Sequence, residues 1–333
     1  MISPEENPEF LNDFLAYSLT ILNKSQNSVK EYNYDIAHFL KFIKFKYKLT
    51  DVTDEEFIKT IKINDFDIET LKRITLQDIH AFLQYLKTCY QSKPATLARK
   101  ASTIRIFFKY MCNKTKRIPV NPAQDLENPK IGQRLPKYLS LEQSKELLET
   151  AASPNTNNRN HDNSERNFAM ITLLLNCGLR LSELIGINIS DIDFENEKLN
   201  VIGKGDKERT IYLNKACIKA IKSYLEVRPH DGVKFNSRDA LFLSEQKQRI
   251  SRRAVQYIVK EELKLAGIEK AESYSVHKLR HTAATLMYKY GNVDIRALQE
   301  LLGHESISTT QIYTHVDNDQ IRSAVENNPL ADL

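Results

Sequence analysis

Six residues in the second half of the chain can act together on a phosphate ester: Arg180, Lys204, His277, Arg280, His304 and Tyr313. Two guanidinium groups, an ammonium, two imidazoles and a phenol are a set of cations and proton carriers suited to gripping one phosphodiester, with a hydroxyl placed to attack it. His277 and Arg280 are three apart, so on a helix they share a face and reach one ligand. Lys204 sits between Gly203 and Gly205 in a turn from which an ammonium can swing onto a substrate oxygen. That turn lacks the spacing and the Ser/Thr of a P-loop, so it implies no ATP site. His304 follows Gly303 at an expected helix end, and Tyr313 lies in the short helical stretch that comes next. Each residue alone has an ordinary reading, as a surface ion pair, a hairpin tip, a helix cap or one of 15 tyrosines. Their joint order and spacing carry the specificity.

The elements that must position these groups follow from patterning. Apolar residues recur at helical spacing from Phe10 through Ile43, with Ser25 or Asn27 as a cap, and again after Thr75 and from about Pro94 to Met111. Residues 49 to 70 are richer in Asp, Glu and Lys and are expected to form a loosely packed connection with one short helix. Pro119, Pro122, Pro129 and Pro136 mark an extended linker. The expected organisation is therefore a helical domain over 1–118, a linker over 119–138 and a second domain over 139–333. In the second, Ser140 and Gln143 form a capping box, and the polar run from Ser153 to Arg166 is a surface loop. Gly178 suits a helix end between apolar helices around Phe168–Leu175 and Arg180–Ile185. Lys198–Ile202 and Arg209–Leu213 make a hairpin around the Lys204 turn, and helices resume at about Lys215, Arg252, His277, Asp294 and Ser308.

A length of 333 residues and 41% apolar content suffice for two cores, and a net charge of +5 favours an acidic partner. Its distribution is more telling. Between Asp78 and Asp125 there is no acidic residue, while Lys93, Arg99, Lys100 and Arg105 are among nine basic ones, with Ser92, Thr96, Ser102 and Thr103 as further donors. This is a candidate DNA-binding stretch. Four cysteines without paired spacing argue against a zinc site or a disulfide framework. The acidic first residues and the shortness of the longest apolar run, Ala169–Leu175, give the expectation of a soluble cytoplasmic protein.

The segments Cys177-Gly178-Leu179-Arg180-Leu181-Ser182-Glu183-Leu184, His277-Lys278-Leu279-Arg280-His281-Thr282 and Leu302-Gly303-His304, with Tyr313 nine residues on, resemble the tyrosine recombinases, most closely the Xer type. The likeness extends to Val201 through Arg209, to Asn121-Pro122-Ala123 and to Leu135-Pro136, and covers roughly residues 10 to 325. It implies a mainly α fold: a helical, SAM-like core-binding domain and a mostly helical catalytic domain with a small antiparallel β-sheet, closing around duplex DNA. It also implies roles. Tyr313 is the nucleophile, Arg180 and Arg280 bind the scissile phosphate, and Lys204 is the general acid for the leaving 5′ oxygen. His277 manages the tyrosine proton, His304 bonds a nonbridging oxygen, and Glu183 orients the cluster.

On this reading the arginines and lysine do the work a divalent metal does elsewhere, so no metal is expected. Exchange of a phosphodiester for a phosphotyrosyl ester conserves bond energy, so no nucleotide cofactor is expected either. The implied products are a 3′-phosphotyrosyl protein and then a Holliday junction. The implied setting is a short inverted-repeat site, bridged by a homo- or heterotetramer through a tail carrying Ile321, Ala324, Val325 and Leu330, with a septal DNA translocase as helper; the same apolar stripe also fits a tail folded onto its own domain. A mobile-element integrase, a type IB topoisomerase and a non-catalytic DNA-binding regulator are the alternatives.

Overall fold

The computed structural model describes residues 4–129, 137–153, 163–203, 208–291 and 293–303. The chain divides into two compact units, residues 1–133 and 134–333.

The first unit is helical: α1 (Glu9–Thr20), α2 (Gln26–Lys46), α3 (Ile68–Lys72), α4 (Leu76–Thr88) and α5 (Pro94–Lys109), the last continuing into a π-helical turn over Tyr110–Lys114. Local chemistry starts these helices where expected. The Ser25 hydroxyl accepts from the Ser28 N–H, Thr75 and Asp78 cap α4 reciprocally, and Pro94 occupies the first turn of α5, where its missing N–H costs nothing. Phe14, Phe39, Phe82, Phe107 and Phe108 are fully buried, and edge-to-face pairs such as Phe39–Phe82 and Phe14–Phe107 lock α1, α2, α4 and α5 together. Each such ring contributes about 1.5–3 kcal/mol of burial.

Residues 49 to 70 depart from expectation. They are not loosely packed: Ile58, Ile61, Ile63 and Phe66 are all buried in the same core as Leu71 and Ile74. The backbone there is a 3-10 turn (Glu55–Thr60), an irregular segment and the short α3, so the apolar positions follow no single period. Further on, Ala123 and Leu126, within the stretch expected as a linker, are buried in this core as well.

The second unit is built round α7 (Ser164–Cys177), which packs against α6 (Leu141–Ala152) on one side and against α9 (Lys215–Val227) and α11 (Val276–Tyr290) on others. α8 (Leu181–Gly186) leads to an antiparallel sheet, β1 (Ile192–Asp193), β2 (Lys198–Ile202) and β3 (Glu208–Tyr212), with Leu199 opposite both Ile192 and Ile211. The hairpin agrees with the sequence pattern; the two-residue β1 is too short to show in it. α10 (Arg252–Leu265) and α12 (Ile295–Leu302) are further helices of this unit.

The expected capping box of Ser140 and Gln143 opens α6. Arg166, placed by sequence in a surface loop, is instead buried in α7 and donates to the Leu243 carbonyl at 2.9 Å. Cys177 and Cys217, far apart in sequence, are buried free thiols with Sγ atoms 3.7 Å apart. That separation is well beyond a disulfide bond. Among the described residues no helix is long and apolar enough to cross a membrane. The helix expected near Ser308 and the tail lie outside the described residues.

Candidate active site

Gly178 ends α7 with φ of +59°, a left-handed conformation that glycine adopts without strain. A Cβ there would also stand 3.0 Å from Leu302 Cδ2, so glycine permits both the turn and the close approach of α12. The turn delivers Arg180 to the N-cap of α8. From the third position of that helix Glu183 reaches back, accepting from the Arg180 backbone N–H and from its Nη1, both at 2.7 Å. Arg180 Nη2 donates to the Gly303 carbonyl at 2.6 Å.

Arg280 comes from α11, the helix that packs on α7. Its side chain is only 2% exposed. Nη1 donates to the Gly178 carbonyl at 2.6 Å and Nη2 to the Leu302 carbonyl at 2.5 Å, while Nη1 lies 3.8 Å from Glu183 Oε2. Glu183 itself is fully buried. Burial pushes its pKa up, but the Arg180 N–H, the charge of Arg209 and the side-chain bonds from Arg180 and Arg209 outweigh that, and its carboxyl is held below the usual range. It is an anion ringed by cations.

His277, one helical turn before Arg280, keeps an exposed face. Its pKa is lowered, first by partial loss of water and then by the charges of Arg280 and Arg180, so its neutral form, able to take a proton, dominates at neutral pH. His281 packs edge-on against it. The pKa of His281 is lowered further, to about 4, by burial and then by His277, Arg280 and Lys278.

The structure thus brings Arg180, Glu183, His277 and Arg280 to one locus at the C-terminal end of α12. Lys204, His304 and Tyr313 lie outside the described residues; their flanks are β2, β3 and Gly303. Two neighbours were missed by sequence reasoning. Arg209 on β3 donates from Nη2 to Glu183 Oε2 at 2.8 Å, and its signal was its place at the end of the Val201–Arg209 stretch. His281 had a signal in its i+4 spacing from His277. Among the described residues no cluster of His, Cys, Asp or Glu could hold a metal ion.

The candidate DNA-binding residues of the first unit divide. Lys93 is exposed at the start of α5. Arg99 is part-exposed and pairs with Asp35 at 2.5 Å and Glu31 at 3.2 Å. Arg105 bonds the Leu126 carbonyl at 2.5 Å and Asn128 at 3.1 Å. Lys100 corrects the sequence expectation: it is buried, and its ammonium donates to the equally buried Asp35 at 2.7 Å. Asp35 also takes the Thr103 hydroxyl at 3.0 Å. The acid-free stretch looked one-sided because its counter-charge is supplied by α2.

A profile of the phage integrase family matches residues 137–320. Tyrosine recombinase XerC of Caldanaerobacter subterraneus subsp. tengcongensis is 50% identical over 324 residues, 97% of this chain and 88% of that one. The chain belongs to the phage integrase family. It is a Xer-type tyrosine recombinase, an enzyme of site-specific DNA recombination. Tyrosine recombinase XerC of Leptospira interrogans is 32% identical over 323 residues, covering 96% of this chain and 94% of the relative. The fold is shared with the XerH recombinase bound to palindromic difH substrate (TM-score 0.67, 21% identity, 98% of each chain). It is shared too with a lambda integrase fragment on a core site (TM-score 0.60, 18% identity, 90% of this chain and 96% of that one). Both support the mainly α architecture with its small sheet.

Proposed function

We propose that this recombinase cleaves one strand at a time by attack of the Tyr313 phenol on a scissile phosphate held by Arg180, Arg280 and His304. Lys204 protonates the leaving 5′ oxygen, and His277 takes the tyrosine proton. A phenol with pKa near 10 is a poor nucleophile at neutral pH, so an acceptor and nearby positive charge must help it ionise as it attacks. The phosphorane gathers negative charge, which fixed guanidinium donors stabilise more than they do the ground state. No step calls for a metal. Religation to a second strand leads through a Holliday junction.

One observation carries this reading: Arg180 and Arg280, 100 positions apart in sequence, both donate to the last carbonyls of α12. Tyr313 follows Gly303 by ten residues, a tether of at most about 35 Å, so the nucleophile is bound by connectivity to the neighbourhood of both arginines. In the cell the enzyme resolves chromosome or plasmid dimers on a short inverted-repeat site. Four copies, alone or with a paralogue, assemble on two sites through the tail after Tyr313, and a septal DNA translocase serves as activating partner. The names of the XerC relatives support the first part.

The test is a nicked suicide substrate that traps the covalent intermediate, with EDTA present throughout. Wild type is expected to form a 3′-phosphotyrosyl adduct and Tyr313→Phe none. An adduct formed by Tyr313→Phe, or one that requires a divalent ion, sinks the assignment. Relaxation of plasmid lacking the site, without exchange between sites, would point to a topoisomerase instead.

A further inference from the structure

The geometry points to Arg209 as a positioning residue of this site, which fixes Glu183 and the end of α12 and so sets what Arg180 and Arg280 can offer a phosphate; the inference rests on the phosphoryl-transfer reading above.

The C-terminal carbonyls of a helix have no partners within it and carry partial negative charge. At the end of α12 three consecutive ones are each held by a different arginine from a different element. Arg209 of β3 donates to Leu301, Arg280 of α11 to Leu302 and Arg180 of the α7–α8 corner to Gly303. All three guanidinium groups also share one carboxylate, Glu183. Arg209 is thus built into the same cluster as the two phosphate-binding arginines, with its side chain 14% exposed. A Cβ on Gly303 would lie 3.1 Å from Arg209 Cδ and 3.2 Å from its Nε. The arginine therefore lies against the residue from which the chain continues to His304 and Tyr313.

The division of labour on Glu183 shows why a third cation matters. Oε1 accepts from Arg180, whereas Oε2 accepts from the Arg180 backbone and from Arg209, leaving Arg280 at 3.8 Å. Without Arg209, Oε2 has unused capacity in a buried setting, and the Arg280 guanidinium, whose Nη1 stands 3.8 Å away, is placed to move onto it. A shift of Nη1 onto Glu183 takes it off the Gly178 carbonyl, turns the guanidinium away from its present setting and lowers the positive charge it can lend to a phosphoryl oxygen. A lysine cannot substitute fully. The planar guanidinium fork bridges a carboxylate and a carbonyl at once, and an ammonium on a flexible stem holds such a pair less firmly.

The variants Arg209→Gln and Arg209→Lys, with Glu183→Gln and the double variant, test this in the full-length protein. Expected for Arg209→Gln is a dissociation constant for the recombination site within about threefold of wild type, with adduct formation on the suicide substrate slower by roughly tenfold to a hundredfold. Arg209→Lys should recover part of that. On a substrate whose scissile phosphate is a neutral methylphosphonate, less cationic help is needed, and the deficit should shrink to about threefold or less. Because Arg209 acts through Glu183, the double variant should be less impaired than the product of the two single losses.

A wild-type rate for Arg209→Gln, an equal deficit on both substrates, or strictly multiplicative losses each overturn the proposal. Should wild type itself form no adduct, the phosphoryl-transfer reading fails. Hydrogen exchange then still decides on the clamp: amides of 295–303 must exchange faster in Arg209→Gln than in wild type while those of 215–227 do not, and unchanged protection overturns it.

Discussion

His277 and His281 meet edge to face on α11 with ring centroids 4.5 Å apart, both next to Arg280 and both with pKa values below the usual imidazole range. Two protonated rings at that distance beside a guanidinium would repel, so the neutral pair is the stable one. The proton acceptor we assign to the reaction is therefore ready at neutral pH. Single-turnover adduct formation should stay level as pH falls from 8 to about 6.5, with the acidic inflection below 6.5. An inflection at or above 6.5 contradicts the assignment of His277.

His38 in the first unit makes a related prediction about stability. It is buried among Phe82, Tyr85 and Tyr90, with no hydrogen bond to either ring nitrogen among the described residues. Its pKa is lowered to about 3, by burial and then by the charges of Lys100, Lys59 and Lys41. A histidine that protonates more readily unfolded than folded contributes stability above its unfolded pKa and loses it as pH falls towards the folded one. The loss runs from about pH 6.5 down towards 3, at up to roughly 1.4 kcal/mol per pH unit. Urea melts between pH 7.5 and 5 should show it, and His38→Phe should flatten that dependence.

Glu183→Gln removes the anion shared by three arginines. Loss of one partner from a buried ion pair costs about 3–5 kcal/mol, so the urea midpoint of the second unit should drop markedly, and adduct formation with it. The depressed pKa of Glu183 fixes the sign in the wild type: its contribution is complete above the ordinary carboxylate value and is lost as pH falls below it. A Gln variant as stable as wild type would show that the carboxylate is not needed to hold the arginines.

Asp35 and Lys100 test the corrected reading of the basic stretch. Asp35→Asn strands the buried Lys100 ammonium and should destabilise the first unit by about 3 kcal/mol, with Lys100→Met in the same chain recovering part of it. DNA affinity should fall on Lys93→Ala but hardly on the Asp35→Asn, Lys100→Met pair. A large loss of affinity in that pair, with folding intact, would return Lys100 to the DNA interface.

Much of this is legible in the sequence. Helix starts at Ser25, Thr75 and Ser140, the turn at Gly178 and the β2–β3 hairpin are written in short-range chemistry, and short-range chemistry survives folding. The segment from Ile58 to Phe66 was misjudged because its apolar residues are buried by irregular backbone and follow no period. Lys100 was misjudged because a charge count along the chain cannot see Asp35, 65 positions away. Arg209 escaped for the same reason: its partners, Glu183 and Leu301, are local only in space.

The carbonyl clamp at the end of α12 also separates two responses to ionic strength. If exposed lysines such as Lys93 contact DNA as proposed, they do so through a field that counter-ions screen over about 8 Å at physiological concentration, and their share of affinity declines as salt is added. Around Glu183, Arg280 and Arg209 are largely withdrawn from solvent, with side chains 2% and 14% exposed, and Arg180, 30% exposed, is pinned to the Glu183 carboxylate and the Gly303 carbonyl, so that atmosphere reaches this cluster far less. Raising potassium chloride should therefore empty the recombination site of protein long before it slows strand scission in complexes already formed.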